Sequence, residues 1–331
     1  MRKFIISDLH GCGDIYGSIM AYLENISIVD GEPVHLYING DLIDRGLDSF
    51  DMLMDVRRRC EENSNVIIHY LAGNHEQLMY NACCHKLKHG HFTFDSWDLN
   101  NNFMTNSGLS KLSFDELEDI TNFIGHLDIY KKFPEKVNGC NVLLAHAAAP
   151  NVVLDKCELR LSSRLDMAYD AMWSRKGEKH CKSLGKHGYL TIVGHTMNCN
   201  KYGFSYDPVD NVLNIDGSCS RYATGSFEFN CVPLVEVKDG KLEILIFTHN
   251  NQLLTGFILD KTIRRMSIRD IKKRRIFIDE KLNYLGQEYC ERVVSDKTNK
   301  TVDIDVKIFD SSKSQIYDDA EDDSDMKIYK K

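Results

Sequence analysis

Uninterrupted apolar runs are short throughout this chain of 331 residues. None approaches the ~18–20 residues that a helix needs to cross a lipid bilayer, so we expect no membrane partner. The opening residues, 1–8, include too few apolar side chains for the hydrophobic core of a secretory signal. The composition, 43% apolar and 27% charged, is typical of a globular protein. We therefore expect a cytoplasmic protein with one large domain or two modest ones.

Paired cysteine motifs are absent as well. The 11 cysteines are scattered without a Cys-x-x-Cys array, and only Cys83 and Cys84 are close in sequence. An odd number of dispersed cysteines indicates a reducing compartment with free, mostly buried thiols. This excludes a small scaffold that is held together by disulfides.

Positive charge is in deficit. The chain has 41 Lys and Arg residues against 49 Asp and Glu residues, which gives a formal net charge of −8. Proteins that coat nucleic acid usually have the opposite balance, because they neutralise backbone phosphates. General binding to nucleic acid is therefore not expected.

Apolar runs alternate with helical patterns in the first part of the chain. Three short runs predict strands, at residues 3–6, 34–38 and 66–71. Helices are predicted around residues 15–23, over 48–59 and from Glu76 onward. The alternation predicts α/β layering around a buried, largely parallel sheet.

The second half of the chain has shorter and more closely spaced apolar runs. Strands are predicted at residues 142–144, 189–193, 212–215, 232–237 and 242–247. Asp239-Gly240 lies between the last two strands and is a hairpin turn signal. We therefore expect more antiparallel β-structure in this half.

Changes in composition suggest how the chain is divided. Residues 1–250 are expected to form the main domain, with a polar, cap-like insert at about 86–108. Residues 251–331 are expected to form a C-terminal extension. Its basic run, 272–275, is interpreted as a solvated helix face. The extension ends in an acidic tail that is predicted to be disordered, because clustered like charges cannot bury enough apolar surface.

Polar side chains with metal-binding chemistry follow the predicted strands. Asp8 and His10 are two residues apart, so both can point the same way as the chain leaves the first strand. The Asp41 carboxylate has two oxygens and can bridge two cations. Oxygen and nitrogen ligands without cysteine suit Mn, Fe or Zn, and hydrolytic two-metal enzymes hold such ions roughly 3.5–4 Å apart. The candidate ligands are Asp8, His10, Asp41, Asn74, His146 and His195.

These residues lie within motifs that occur in a fixed order. The motifs are Asp-Leu-His-Gly at 8–11, Gly-Asp-Leu-Ile-Asp-Arg-Gly at 40–46, Gly-Asn-His-Glu at 73–76, Ala-His-Ala at 145–147 and Gly-His-Thr at 194–196. They closely resemble the metallophosphoesterase superfamily, in particular its serine/threonine protein phosphatase branch with the bacterial and phage phosphatases. The resemblance covers roughly residues 1–250. Ser7 replaces the family's opening glycine, and Ala147-Ala148 replaces its usual Gly-Gly, but neither change removes a ligand.

The resemblance implies a calcineurin-like fold of the α/β class: a two-sheet β-sandwich flanked by helices, with the site at one edge. It implies two divalent metal ions, manganese first and iron or zinc as alternatives. One ion would take Asp8, His10 and Asp41. The other would share Asp41 and add the remaining candidates, Asn74, His146 and His195.

The expected reaction is in-line attack of a metal-bridging hydroxide on phosphorus. Arg45 is placed to donate a bidentate pair of hydrogen bonds to the phosphoryl oxygens. Arg175, in Trp173-Ser174-Arg175, resembles a second phosphate clamp of the family. His75 is expected to protonate the leaving oxygen rather than to bind metal, and Asp44 is its expected partner.

The leading prediction is a phosphatase that acts on phosphoserine and phosphothreonine in proteins. A symmetrical dinucleoside tetraphosphate hydrolase has the same motif set. The segment from Trp97 to Gly108 and the tripeptide Trp173-Ser174-Arg175 both resemble features of that bacterial group. A phosphodiesterase or nuclease is a weaker alternative. A non-catalytic metal-binding scaffold that presents the C-terminal extension is an alternative of a different class.

Overall fold

A computed structural model describes most of the first 260 residues. The described residues are 1–62, 64–93, 97–149, 160–162, 169, 171–175, 185–198, 203–207, 210–219, 231–248 and 253–259. The predicted basic helix face at 272–275 and the acidic tail lie outside them. Among the described residues, no helix has both the length and the apolar character needed to cross a bilayer.

The first sheet has six strands and is mixed. In chain order they are β1 (Lys3–Ile6), β2 (Val34–Asn39), β3 (Val66–Leu71), β9 (Cys231–Lys238), β10 (Lys241–Thr248) and β11 (Leu253–Leu259). Their order across the sheet is β11-β10-β9-β1-β2-β3. The pairs β1–β2 and β2–β3 are parallel, whereas β9 pairs antiparallel with both β1 and β10. The parallel arrangement predicted for the first three strands is therefore confirmed, and so is the antiparallel hairpin predicted around Asp239-Gly240. That the hairpin joins the same sheet, through β9, was not predicted.

The second sheet has five strands. They are β4 (Tyr130–Val137), β5 (Cys140–Ala145), β6 (Tyr189–Val193), β7 (Ser205–Asp207) and β8 (Val212–Asn214), in the order β4-β5-β6-β8-β7. The central pairs β5–β6 and β6–β8 are parallel, and the edge strands are antiparallel. Ile5 and Leu71 of the first sheet share a buried core with Leu144 and Ile192 of the second. The expected two-sheet sandwich is confirmed.

Helices cover the outer face of the first sheet. They are α1 (Gly13–Asp30), α2 (Ser49–Glu61), α3 (Asn74–His89), α4 (Phe103–Leu109) and α5 (Phe114–Gly125). Ile15, Ile19 and Leu23 repeat at helical spacing along α1, and they pack in one core with Phe4 and Leu36 of the sheet. The three helices predicted in the first part of the chain are present, whereas α4, α5 and β4 were not predicted.

The insert predicted at 86–108 is partly helical. Its first residues complete α3, which ends at Gly90 in the left-handed conformation. A 3₁₀ turn, Asp98–Asn100, and α4 follow. The segment packs inward, since Trp97 and Thr105 are buried. The predicted domain boundary at 250 stays a prediction, and β11 extends the first sheet beyond it to Leu259.

Candidate active site

The turns after the strands have an unusual backbone. Asp8, His10, Asp41 and His195 all have positive φ, at 55°, 45°, 53° and 64°. Residues with a Cβ rarely adopt this conformation, which costs on the order of 1–3 kcal/mol each and is concentrated at functional sites. Hydrogen bonds between neighbouring turns hold it: the Asp8 amide donates to the Gly40 carbonyl at 3.2 Å, and the His10 amide donates to the Asp41 carbonyl at 3.0 Å.

Hydrogen-bond acceptors converge around the Asp41 carboxylate. The Nδ1 of His146 lies 2.8 Å from the Asn39 carbonyl, so Nδ1 carries the proton and Nε2 presents its lone pair. That Nε2 lies 3.3 Å from Oδ2 of Asp41 and 3.1 Å from Oδ1 of Asn74. Nδ1 of His195 lies 2.9 Å from the same Asn74 oxygen. Nitrogen and oxygen atoms this close to one another need either a proton on the nitrogen or a metal ion between them.

The electrostatics of the cluster favour a positive charge at His146 and disfavour a second one at His195. Burial lowers the pKa of His146, but the Asp41 and Asp8 carboxylates outweigh it and raise that pKa to about 10. Burial, followed by the charge of His146, lowers the pKa of His195 to about 3. Burial and the Asp216 charge raise the pKa of Asp8 well above its usual range. A divalent cation would replace the proton on His146 and relieve the crowding of the carboxylates, so the donor set fits a metal centre.

His10 approaches Asp41 from the other side. Its Nδ1 lies 2.9 Å from the Ile43 carbonyl, which directs Nε2 into the cluster with its lone pair available, and Nε2 is 3.5 Å from Oδ2 of Asp41. The Asp8 carboxylate accepts the Ser7 hydroxyl and the His195 amide. The structure thus brings all six predicted ligands into one neighbourhood. Two groups in it can each hold an ion: His10, Asp41 and His75, and Asp41, His146 and His195.

His75, Asp44 and Arg45 lie together beside this cluster. Nδ1 of His75 is 2.7 Å from Oδ2 of Asp44, and both side chains are fully buried. The Arg45 guanidinium spans two rings, with Nη1 3.0 Å from Nε2 of His10 and Nη2 3.0 Å from Nε2 of His75. A guanidinium only donates, so both ring nitrogens act as acceptors here. Nε2 of His75 is 3.9 Å from Oδ2 of Asp41, so one ion could contact both atoms.

Arg175 lies at the outer edge of the site. Its side chain is exposed, and its charge contributes to the lowered pKa of His195, after burial and the charge of His146. Two residues earlier, the Trp173 ring stands edge-on to His195, with 6.4 Å between the ring centroids, and Trp173 donates from Nε1 to Gln77. The structure therefore places Arg175 near the cluster but more exposed to solvent than Arg45.

Glu76 has a role that the motif analysis did not identify. Its Oε2 accepts the Asp41 amide at 2.8 Å and the Gly73 amide at 2.7 Å. Its Oε1 accepts the Leu42 amide at 3.0 Å and the Tyr70 hydroxyl at 2.7 Å. One buried carboxylate thus fixes both the turn after β2 and the start of α3. Its place in the Gly-Asn-His-Glu motif was the available signal.

Trp97 and Thr105 contact Asp44 from the insert. Trp97 donates from Nε1 to Oδ2 of Asp44 at 2.8 Å, and Thr105 donates from Oγ1 to Oδ1 at 2.6 Å. Trp97 was noted in the sequence as part of a motif but without a role, and Thr105 was not noted. The partners are 53 and 61 residues apart, a separation at which local sequence patterns carry no signal.

Comparison with known protein families agrees with this geometry. The family model for calcineurin-like phosphoesterases matches residues 1–249. The chain therefore belongs to this family of metal-dependent phosphoester hydrolases. No curated protein matches the sequence.

Several solved structures are similar in fold at low sequence identity. A putative diadenosine tetraphosphatase is 17% identical with a TM-score of 0.44, and the match covers 74% of this chain and 93% of the other. A cold-active protein tyrosine phosphatase from a Shewanella species is 16% identical with a TM-score of 0.45, covering 75% and 78%. A protein serine/threonine phosphatase from Saccharomyces cerevisiae is 11% identical with a TM-score of 0.42, covering 72% of each chain. Family membership rests on the sequence match.

Proposed function

We propose that the chain is a dinuclear-metal phosphatase that hydrolyses phosphomonoesters, with phosphoserine and phosphothreonine in proteins as its substrates. The observation that carries the proposal is the convergence of acceptor atoms on Asp41, directly beside the Arg45 guanidinium. Cations and an arginine around one point form a site for a dianionic phosphoryl group. The free thiols of the described cysteines accord with the reducing cytoplasm as its location.

Two divalent ions would share the Asp41 carboxylate. We assign Asp8 and His10 with Asp41 to one ion, and Asn74, His146 and His195 with Asp41 to the other. Manganese is the first choice, with iron or zinc as alternatives. When bound, the ions neutralise phosphoryl charge and lower the pKa of a coordinated water so that a nucleophile is present near neutral pH.

Arginine side chains of the chain bind and orient the phosphoryl group in this proposal. Arg45 already directs both terminal nitrogens toward His10 and His75, so the same fork can donate two parallel hydrogen bonds to phosphoryl oxygens. Arg175, which is exposed at the outer edge of the site, is assigned as the second clamp. Together they would hold phosphorus in line between the nucleophile and the leaving oxygen.

His75 supplies the proton for the leaving oxygen. Its Nδ1 is held by Asp44, and its Nε2 accepts from the Arg45 guanidinium in this structure. Once that guanidinium binds the phosphoryl group instead, Nε2 is released to carry the proton that the leaving oxygen takes. A positioned general acid of this kind contributes about 100- to 10,000-fold to the rate. His75 therefore remains a catalytic residue in this assignment rather than a metal ligand.

A symmetrical dinucleoside tetraphosphate hydrolase is the second candidate, and one feature favours it. Tyr169 and Trp173 stack with ring planes 13° apart and centroids 6.2 Å apart, and Tyr169 is exposed. Trp173 also contacts His195, one of the proposed ligands. A flat aromatic surface beside a phosphate site is suited to stacking with a nucleobase.

Substitution of the shared carboxylate tests the enzymatic assignment. With p-nitrophenyl phosphate and Mn²⁺, we expect turnover that a chelator abolishes and that Asp41→Asn lowers by at least about 100-fold, because a bridging charge is lost. Asp119→Asn on α5 is the matched control, because its carboxylate is 68% exposed and lies beside Arg57 of α2. Full activity in Asp41→Asn, or no activity in the metal-loaded chain, contradicts the proposal; the second result supports the scaffold alternative.

A substrate panel distinguishes the two candidate reactions. The metal-loaded chain is compared on phosphoserine and phosphothreonine peptides and on diadenosine tetraphosphate. The proposal expects the higher kcat/KM on the peptides. A higher value on the dinucleotide, reduced by Trp173→Ala, would transfer the assignment to the second candidate.

A further inference from the structure

We infer that residues 97–105, which we call the brace segment, position the general acid. Trp97 and Thr105 are positioning residues that act on His75 through Asp44. The inference rests on the proposed function, because it takes His75 as the proton donor. It gives the polar insert a task in the reaction that neither the motifs nor the family assignment provides.

The Asp44 carboxylate is held at both of its oxygens. Oδ2 accepts Nδ1 of His75 at 2.7 Å and Nε1 of Trp97 at 2.8 Å, and Oδ1 accepts Oγ1 of Thr105 at 2.6 Å. Asp44 and Thr105 are fully buried, and Trp97 is 2% exposed. Trp97 holds one oxygen of the carboxylate and Thr105 holds the other, so rotation of the carboxylate would break both hydrogen bonds. The direction of the His75 ring is therefore fixed as well.

Without the hydrogen bonds from Trp97 and Thr105, the Asp44 carboxylate would have His75 as its single side-chain donor among the described residues. A carboxylate with a single partner can turn and take the imidazole with it. A general acid must keep its proton within hydrogen-bond reach of the leaving oxygen, at about 2.6–3.2 Å. Small rotations of the ring would break that geometry even though the fold and the metal ligands stay in place.

The brace segment also holds the backbone on which Asp44 stands. Asp44 and Arg45 both have a φ of 69°, a strained conformation for residues with a Cβ. The Asp44 amide donates to Oγ1 of Thr105 at 3.2 Å, and the Arg45 amide donates to the Asn101 carbonyl at 2.8 Å. The Thr105 hydroxyl thus accepts from the backbone and donates to the side chain of the same residue. The brace segment therefore positions both Asp44, the partner of His75, and Arg45, the proposed phosphate-binding residue.

Packing alone does not account for these two residues. The Trp97 ring contacts Phe92 edge-on, with centroids 6.3 Å apart, and a phenylalanine would retain most of that apolar burial. A valine would fill the place of Thr105 equally well. What distinguishes the native residues is an N–H and an O–H directed at Asp44. Buried polar groups are retained where their partner needs them.

The test compares two leaving groups in the full, metal-loaded chain. Phenyl phosphate needs a proton on its leaving oxygen, whereas 2,4-dinitrophenyl phosphate does not. We expect Thr105→Val and Trp97→Phe each to lower kcat on phenyl phosphate by about 10- to 100-fold, a fraction of the full general-acid effect, and to lower kcat on the dinitrophenyl ester by less than about 3-fold. Bound metal, measured by elemental analysis, should be unchanged.

Three further variants make the outcomes distinguishable. Thr105→Ser keeps the hydroxyl and should restore kcat on phenyl phosphate. Thr121→Val is the matched control, since its buried hydroxyl donates to the Leu117 carbonyl within α5. His75→Asn sets the scale of the effect.

A leaving-group effect in His75→Asn without one in Thr105→Val and Trp97→Phe overturns the inference and leaves the proposed function intact. Equal losses on both esters also overturn it, because they indicate general loss of structure. No leaving-group effect in His75→Asn overturns the acid role itself and the inference with it.

Discussion

At the scale of single residues, the Glu76 carboxylate holds together two of the turns that form the site. It is fully buried and accepts three backbone amides and the Tyr70 hydroxyl. Burial and the nearby Asp41 charge raise its pKa, while the hydrogen bonds from Tyr70 and the backbone oppose that rise. A buried carboxylate is tolerated here because four donors converge on its two oxygens.

Glu76→Gln is expected to weaken both the fold and the metal site. The amide of glutamine replaces one acceptor oxygen with an NH₂ group that faces N–H or O–H donors. We expect a loss of about 2–4 kcal/mol in the free energy of unfolding, because buried donors are left unsatisfied. Urea denaturation measures this loss, and Mn²⁺ titration should show weaker binding, since the Asp41 turn is no longer held.

Glu116→Gln is the matched control for this substitution. Glu116 accepts the Ser113 amide and hydroxyl at the start of α5, but it is exposed, so the cost should stay below about 1 kcal/mol. If the two substitutions cost the same, the buried carboxylate has no special role.

At the scale of secondary structure, α3 begins inside the site. Its first turn contains Asn74, His75 and Glu76, and it follows Gly73, which is in an extended conformation. A Cβ on Gly73 would lie 2.3 Å from Oδ1 of Asp41 and 2.6 Å from its backbone nitrogen. The first turn of the helix can therefore approach the turn after β2 only if this position has no side chain.

Gly73→Ala should separate these two elements. We expect a loss of about 1–3 kcal/mol in the free energy of unfolding from overpacking, together with weaker Mn²⁺ binding. Gly17→Ala in the middle of α1 is the opposite control, because a Cβ there meets nothing within 4 Å. It should stabilise the protein by roughly 0.5–1 kcal/mol through helix propensity. Thermal unfolding of both variants checks the opposite signs, and a stabilising Gly73→Ala would rule out the close approach.

At the scale of the whole molecule, the strands that the sequence predicted are those that are largely buried and mostly apolar. Asp8, Asp41 and Asn74 were found because each follows such a strand, and the ends of parallel strands meet at one edge of a sheet. Strand β4 was missed because it is an edge strand in which four of eight residues are charged, and Pro134 within it is tolerated only at an edge.

Among the features that were not predicted, one had a signal in the sequence, whereas the others depend on contacts between distant residues. Helix α5 had a signal, since Ser113 and Glu116 form a capping box, and was overlooked. The mixed first sheet could not be predicted from the alternation, because β9, at Cys231–Lys238, pairs with β1 across a long separation in sequence. The contacts of Trp97 with Asp44 likewise depend on tertiary packing.

The candidate metal site takes its ligands from both sheets, so bound metal should raise the free energy of unfolding of the whole domain. Asp41 and Asn74 follow strands of the first sheet, whereas His146 and His195 follow strands of the second. Ions bound only by the folded chain stabilise it by about 2.7 kcal/mol at 100 times Kd. In calorimetry, Mn²⁺ at that concentration should therefore raise the Tm of the metal-free protein by roughly 5–10 °C. Asp41→Asn should lose most of this rise and Asp119→Asn should keep it, whereas equal rises in both variants would show that the ions bind elsewhere.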